Sequence, residues 1–320
     1  MGETRIEWAD AVWNPVTGCT KVSEGCRNCY AERMANRLAG RCGYPADEPF
    51  RVTLHENRLD LPGSWRKPGR VFVNSMGDLF HENVPDHWID KVFSVMSAFP
   101  RRTFMILTKR PQRAIRWFKH IERDDHRDGS VFHLGQGGLI VAHREWPLPN
   151  VWIGVSVEDQ ATADERIPLL VGIPAAVRFV SSEPLLGPVD LSDELMFIDG
   201  LGYGIDWVIA GGETGPGARP MHPDWARSLR DKCQAAGVPF FFKGWGEWSP
   251  WYAMEDSGCL CGRNHPDGNW CERTYVWGTG PSMGEFHRSV SASVRVGKNS
   301  AGRLLDGREW SEFPRVEVGR

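Results

Sequence analysis

The sequence predicts an α/β fold on a parallel sheet, either a (β/α) barrel or an open twisted sheet, and three observations carry that prediction. Short apolar, β-branched runs alternate with amphipathic helical stretches over most of residues 1–249, the pattern of repeated strand–helix units. The runs are apolar nearly throughout, as strands buried on both faces must be. Polar or charged residues gather at the carboxyl end of almost every run, where such folds assemble their sites.

In chain order, an opening strand is expected within Ala9–Pro15, followed by a cysteine-bearing loop that runs into a helix after Cys29. The second strand is Val71–Ser75 (VFVNS). Pro85–Ala98 is helical, because Trp88, Ile89, Val92, Phe93 and Met96 share one stripe. Phe104–Thr108 (FMILT) is the third strand and Pro111–His120 the next helix. Val151–Ser156 (VWIGVS) precedes a helix at Gln160–Val171, and Arg178–Ser182 (RFVSS) precedes Trp207–Ala210 (WVIA). Pro223–Ala236 starts with proline at a first helical position and stops at Gly237, the polarity that helix caps demand. Phe240–Lys243 (FFFK) closes the series. Residues 122–148 break the alternation and read as an inserted loop with a short hairpin. From Pro250 the alternation is lost, so 250–320 form an irregular C-terminal extension whose last part caps the barrel.

Composition bounds the function. A chain of 320 residues, 41% of them hydrophobic, can bury a sizeable core. At a net charge of −3 the whole protein is no polyanion binder, so contact with nucleic acid would need a local basic patch. The opening MGETRIEWADAVW lacks a basic region followed by an apolar core, so no signal peptide is expected. No apolar run reaches the length of a membrane span. A cytoplasmic protein without membrane contact is the expectation. In that compartment eight cysteines point to metal or redox chemistry rather than disulfides.

The strand ends supply the candidate site. Ser75 and Asp78 follow the second strand, Lys109 and Arg110 the third, and Ser156 and Glu158 the fourth. Glu183 follows the fifth, Gly211-Gly212-Glu213 the sixth, and Lys243, Trp245 and Glu247 the seventh. Lys109, Glu158, Glu183 and Lys243 are the candidate catalytic groups. The two carboxylates either face one another or pair with the lysines. Ser75, Asp78, Ser156, Gly211, Gly212, Glu213 and Arg219 are candidate cofactor-binding residues; the glycines let a flat ligand approach the backbone, and Arg219 suits a carboxylate or phosphate. Lys109, Arg110, Arg101, Arg102 and Arg113 make the most basic stretch and suit a phosphate backbone. Trp245 and Trp248 either stack on a base or pack the barrel end.

GCTKVSEGCRNCYAER puts Cys19, Cys26 and Cys29 on the first loop of that rim. Three thiolates can bind three irons of a [4Fe–4S] cube and leave the fourth iron open. A structural zinc site closes with four protein ligands, and His55 and His81 are not adjacent. Unliganded thiols are the third reading. In the tail, CLCGRNHPDGNWC brings Cys259, Cys261, His265 and Cys271 close together, a set for zinc or for a second cluster. Cys42 is isolated, and Cys233 falls on the apolar side of its helix.

An open-site cluster on the first loop of a partial (β/α) barrel resembles the radical S-adenosylmethionine superfamily. More narrowly, the segments NSMGDLFH, LTKRPQR, WIGVSVEDQ, SSEPLLGPVDL, WVIAGGETGPGARPMHPDW and VPFFFKGWGEW, with the cysteine loop, resemble a phage- and prophage-associated three-cysteine family that is radical-SAM-like. The resemblance covers most of residues 5–248. It implies a partial TIM-type barrel, a [4Fe–4S] cluster on Cys19, Cys26 and Cys29, and S-adenosylmethionine held at the open iron. It also implies an electron donor and hydrogen abstraction through a 5′-deoxyadenosyl radical. The spacing departs from that superfamily: it is C-x6-C-x2-C rather than C-x3-C-x2-C, with Asn28 before the last cysteine. The Gly-Gly-Glu follows the sixth strand, not the second. The substrate is expected to be a nucleic acid or nucleotide. Competing expectations are a metal-stabilised binding module for nucleic acid or protein, and a metal-dependent hydrolase.

Overall fold

The computed structural model describes residues 4, 6–67, 69–123, 130–134, 138–142, 147–193, 195, 204–250, 274–277 and 292–315. Seven strands form one parallel sheet: β1 (Ala11–Trp13), β2 (Arg70–Val73), β3 (Thr103–Thr108), β4 (Val151–Ser156), β5 (Val177–Ser182), β6 (Trp207–Gly211) and β7 (Phe240–Gly244). Their order in the sheet is their order in the chain. Every neighbouring pair is parallel. A sheet wound in this sequential way, with helices in the crossovers, is a partial TIM-type barrel.

The helices of eight residues or more are α1 (Tyr30–Arg37), α2 (Asp86–Ala98), α3 (Pro111–Arg123), α4 (Gln160–Val171) and α5 (Pro223–Ala236). The α4 N-terminus is a capping box, in which the Asp159 side chain accepts from Thr162 N at 2.9 Å. α5 ends where Gly237 takes the left-handed conformation, with φ 68°. Strand limits agree with the sequence reading to within two residues, and α3 runs three residues beyond His120. Within 122–148, Ser130–Leu134 and Gly138–Ala142 pair antiparallel.

Alternate residues of the strands divide between two apolar layers. Phe104, Ile106, Val151, Ile153, Val155, Val180, Val208, Phe240 and Phe242 pack outward with the helices. Met105, Trp152, Phe179, Trp207, Ile209 and Phe241 form the inner layer, closed by Trp8 from the segment before β1. Trp8 sits edge-on to Trp207 at 6.3 Å between ring centroids. Gly154 belongs to this inner row; a Cβ there would lie 2.5 Å from the Phe179 ring, so only glycine leaves that ring its place. The free edge of β7 is covered by the chain near residue 311, where Phe242 N donates to Trp310 O and Glu312 N to Phe240 O.

Candidate functional site

The inner row continues past the strands into charge. Counting by twos from Met105, Trp152, Phe179 and Phe241 leads to Lys109, to Ser156 and Glu158, to Glu183, and to Lys243. The candidate catalytic groups therefore stand on one face because strand side chains alternate. They do not form one cluster. Lys109 pairs with Glu158, and Lys243 with Glu183.

The cysteine loop lies across the carboxyl ends of the strands, and three sets of charged groups hold it there. In the first, Asp78 accepts from Thr108 Oγ1 at 2.8 Å and from the Lys109 backbone N–H at 3.1 Å, and pairs with Arg110. Arg110 then donates to Thr20 O and Thr20 Oγ1, both at 2.9 Å, and to Cys19 Sγ at 3.3 Å. In the second, Glu158 is only 1% exposed and takes Arg166 on Oε2 at 3.0 Å. Its Oε1 takes Lys109 and also Ser23 Oγ, the latter at 2.9 Å. A Cβ on Gly25 would lie 2.4 Å from that oxygen, so the loop rests directly on the carboxylate. In the third, Arg219 bridges Glu213 at 2.7 Å and Glu24 at 3.2 Å. Asn28 donates to Gly217 O at 2.8 Å, and Arg33 on α1 donates to Thr214 O at 3.4 Å.

The electrostatics follow from these contacts. Burial would raise the Glu158 carboxyl, but Lys109 and Arg166 outweigh it and keep the group ionised. The Glu213 carboxyl is likewise held down by Arg219 against its own burial. Burial, with Asp78 adding, pushes the Cys19 thiol up to about 11 against the pull of Arg110. A metal taking Cys19 must displace its proton. None of the five described cysteines is in a disulfide.

The fit of the thiols to a cluster can be tested on this arrangement. A single zinc ion needs its ligands to converge around one point. Among the described residues no three His, Cys, Asp or Glu side chains are grouped that way. In a cube each sulfur serves a different iron, so its ligands stand farther apart. Cys19, Cys26 and Cys29 are partly buried on one loop, and three thiols are the donor set that a cube with one open iron requires. The two histidines weighed as a fourth ligand are engaged elsewhere: His55 bonds Thr17 Oγ1 at 2.8 Å and His81 bonds Thr20 Oγ1 at 2.9 Å.

The other candidates fall into two groups. Ser75 donates to Asn14 Oδ1 at 3.2 Å, and the Ser156 carbonyl accepts from Arg166 at 2.8 Å, so both brace the rim. Gly211 and Gly212 make a close turn, where a Cβ on Gly212 would lie 2.1 Å from Trp245 O. Trp245 is buried and gives its indole N–H to Leu304 O; Trp248 gives its own to Ala218 O. Both rings thus pack the barrel end. Most of the basic stretch is no open phosphate surface, Arg101 being the one exposed residue of the five. Arg102, Arg110 and Arg113 are buried, the last against Val84 O and Asp86, and Lys109 is taken by Glu158. Sequence reasoning missed Arg166, Ser23 and Gly25 as members of the site. Arg166 carried a signal, being a charged residue on the buried stripe of α4 beside Ile167 and Leu170. Cys259, Cys261, His265 and Cys271 lie outside the described residues.

The family described as "Protein of unknown function (DUF5131)" matches residues 3–314 of this chain. No curated protein matches it. Three solved structures are similar at low identity. A cysteine-to-serine variant of spore photoproduct lyase shares 12% identity, with a TM-score of 0.37, over 92% of this chain and 70% of its own. A second variant, with bound AdoMet and dinucleoside spore photoproduct, shares 11% with a TM-score of 0.37, over 90% of this chain and 68% of its own. Spore photoproduct lyase complexed with the dinucleoside spore photoproduct shares 10% with a TM-score of 0.34, over 88% of this chain and 66% of its own.

Proposed function

The chain belongs to the DUF5131 family, and from that premise we propose that it is an iron–sulfur protein of radical-SAM type, whose [4Fe–4S] cluster is held by Cys19, Cys26 and Cys29. The observation that carries this reading is the seating of a three-thiol loop over the strand ends by buried charged groups, with no fourth protein ligand set against it among the described residues. When bound, the cluster and S-adenosylmethionine would supply one-electron reduction and hydrogen-atom abstraction. The chain's own part is positional. Arg110 holds the Cys19 end of the loop, Glu158 holds Ser23 and Gly25, and Arg219 with Asn28 holds the stretch before Cys29. Lys109 and Arg166 keep the buried Glu158 carboxylate charged under the loop.

The substrate proposed is a nucleic acid or nucleotide. Its support shifts from the Lys109 stretch to Arg27, Arg37 and Arg41, which are exposed beside the cysteine loop and at the end of α1. Among the described residues none of the three pairs with a carboxylate, so their charge is available to phosphates. Phage association and an external electron donor belong to this proposal as well.

Iron, sulfide and zinc counts on anaerobically purified protein, beside Cys26→Ala, test the reading. About four irons per chain, lost in the variant, support it. Zinc without iron leaves a metal-stapled binding module and removes the radical chemistry.

A further inference from the structure

Three thiols share one loop, but their surroundings differ. Cys19 Sγ accepts from Arg110 Nη1 at 3.3 Å. Cys26 Sγ lies 3.9 Å from the neutral Ser23 hydroxyl, and Cys29 Sγ has no hydrogen-bond partner among the described residues. As a thiol, Cys19 also gives its own proton to Thr20 O at 3.4 Å. An iron-bound thiolate has no proton to give, whereas it accepts from a guanidinium more strongly than a thiol does. One charged donor therefore faces one corner of the three-thiol set.

That donor is buried and fixed. Arg110 Nη2 donates to Thr20 O and to Thr20 Oγ1, both at 2.9 Å, and Nη1 also reaches Asp78 Oδ2 at 3.3 Å. Asp78 is locked in turn: Oδ1 accepts from Phe80 N at 3.0 Å and from Thr108 Oγ1 at 2.8 Å, and Oδ2 from the Lys109 backbone N–H at 3.1 Å. His81 also meets Thr20. Its Nδ1 accepts from Asn83 N at 3.0 Å, which puts the ring proton on Nε2, the atom 2.9 Å from Thr20 Oγ1. Burial, and then Arg110, hold the His81 pKa below its usual value, so the ring adds no charge at neutral pH. Lys109, the other cation of this strand end, is taken by Glu158. Among the described residues Arg110 is thus the one cation hydrogen-bonded to a thiol sulfur.

We propose that Arg110 sets the reduction potential of the cluster through its N–H···S bond to Cys19, with Asp78 as the counterweight. The inference rests on the iron–sulfur reading above and adds to it a role that merely seating the loop does not require. One-electron reduction, from a low-potential one-electron donor, adds a negative charge that the sulfurs share; no bond to the protein forms or breaks. A fixed positive donor on one sulfur favours the reduced state, and a fixed carboxylate behind that donor disfavours it. Both charges reach the sulfur, since Asp78 raises the Cys19 thiol pKa and Arg110 lowers it. Burial of the pair limits screening by water and salt, so each charge acts at close to its full strength.

EPR-monitored titration of the anaerobically purified full chain with dithionite, without S-adenosylmethionine, tests this. Arg110→Lys keeps the charge but loses the planar fork that reaches sulfur and Thr20 together, so the midpoint should fall by about 59 mV, a tenfold shift toward the oxidised cluster. Asp78→Asn should move the midpoint the other way, because Arg110 loses its counter-charge. A loosened loop would move both variants in one direction. In the unaltered protein, arginine carrying a nitrogen isotope label should show a hyperfine coupling to the reduced cluster, and Arg110→Lys should abolish it. An unmoved midpoint in both variants with iron retained overturns the proposal, as does a shift of the same sign in both. Absence of the arginine coupling also overturns it, and that arm decides even where a variant loses iron. Wild-type protein without iron overturns the cluster reading itself, a failure distinct from the others.

Discussion

Glu158, a candidate catalytic group in the sequence, stands in the fold at the centre of a buried set of charged contacts. It is ionised, nearly inaccessible, and shared by Lys109, Arg166 and Ser23. Glu158→Gln leaves the buried Arg166 and the half-buried Lys109 without their counter-charge, a loss of about 3–5 kcal/mol for a broken buried pair. The expected outcome is a fall in denaturant midpoint together with a fall in iron per chain, because the loop loses its seat. A catalytic-only role would leave both unchanged. Gly25→Ala should reproduce the iron loss with less effect on global stability, since its Cβ intrudes on the same carboxylate from the loop side. His55 offers a pH reading. Burial, and then Arg58, lower its pKa to about 4. The fold therefore holds the ring neutral, so the stability it contributes is complete above about 6.5 and is lost as pH falls toward 4. Between pH 6.5 and 5 the loss should be on the order of 2 kcal/mol, at about 1.4 kcal/mol per unit. An imidazole NMR titration with a midpoint near 6.5 would contradict this.

At the scale of elements, what matters is which face each strand and helix gives to which layer. The α4 helix depends on its cap: Asp159→Ala removes the acceptor for Thr162 N and should cost about 1 kcal/mol, read as a lower melting temperature with iron content unchanged. That outcome would separate the helix's own stability from the Glu158 seat immediately before it. β4 is constrained in the other direction. Gly154→Ala puts a methyl group 2.5 Å from the Phe179 ring, in the middle of the inner layer. Overpacking of that kind costs about 1–3 kcal/mol, and the near-UV aromatic signal should change with it.

At the scale of the molecule, the sheet is closed at its centre by Trp8 and at its edge by the returning chain near 310–313. Shortening the chain before Trp310 should expose the β7 edge and produce association, read by light scattering. The cysteine loop, by contrast, is held by the protein's own ion pairs, so Cys26→Ala should keep a wild-type far-UV spectrum even with the iron gone. A spectrum that collapsed with iron loss would mean that metal, not charge, holds the loop. The sequence by itself determined the seven strands, their parallel kind and the rim they share, because alternation of strand and helix and side-chain parity are local properties of the chain. It also singled out the three cysteines and the charged strand ends. It could not say which charges face one another. Lys109 with Glu158, and Lys243 with Glu183, are choices among several pairings that the residues alone allow. Only the tertiary structure decided that Arg166, Ser23 and Gly25 meet on one carboxylate, and that Arg110 joins Cys19 to Asp78. Those contacts join residues far apart in sequence, and strand order and sheet curvature fix them rather than any spacing that can be read along the chain.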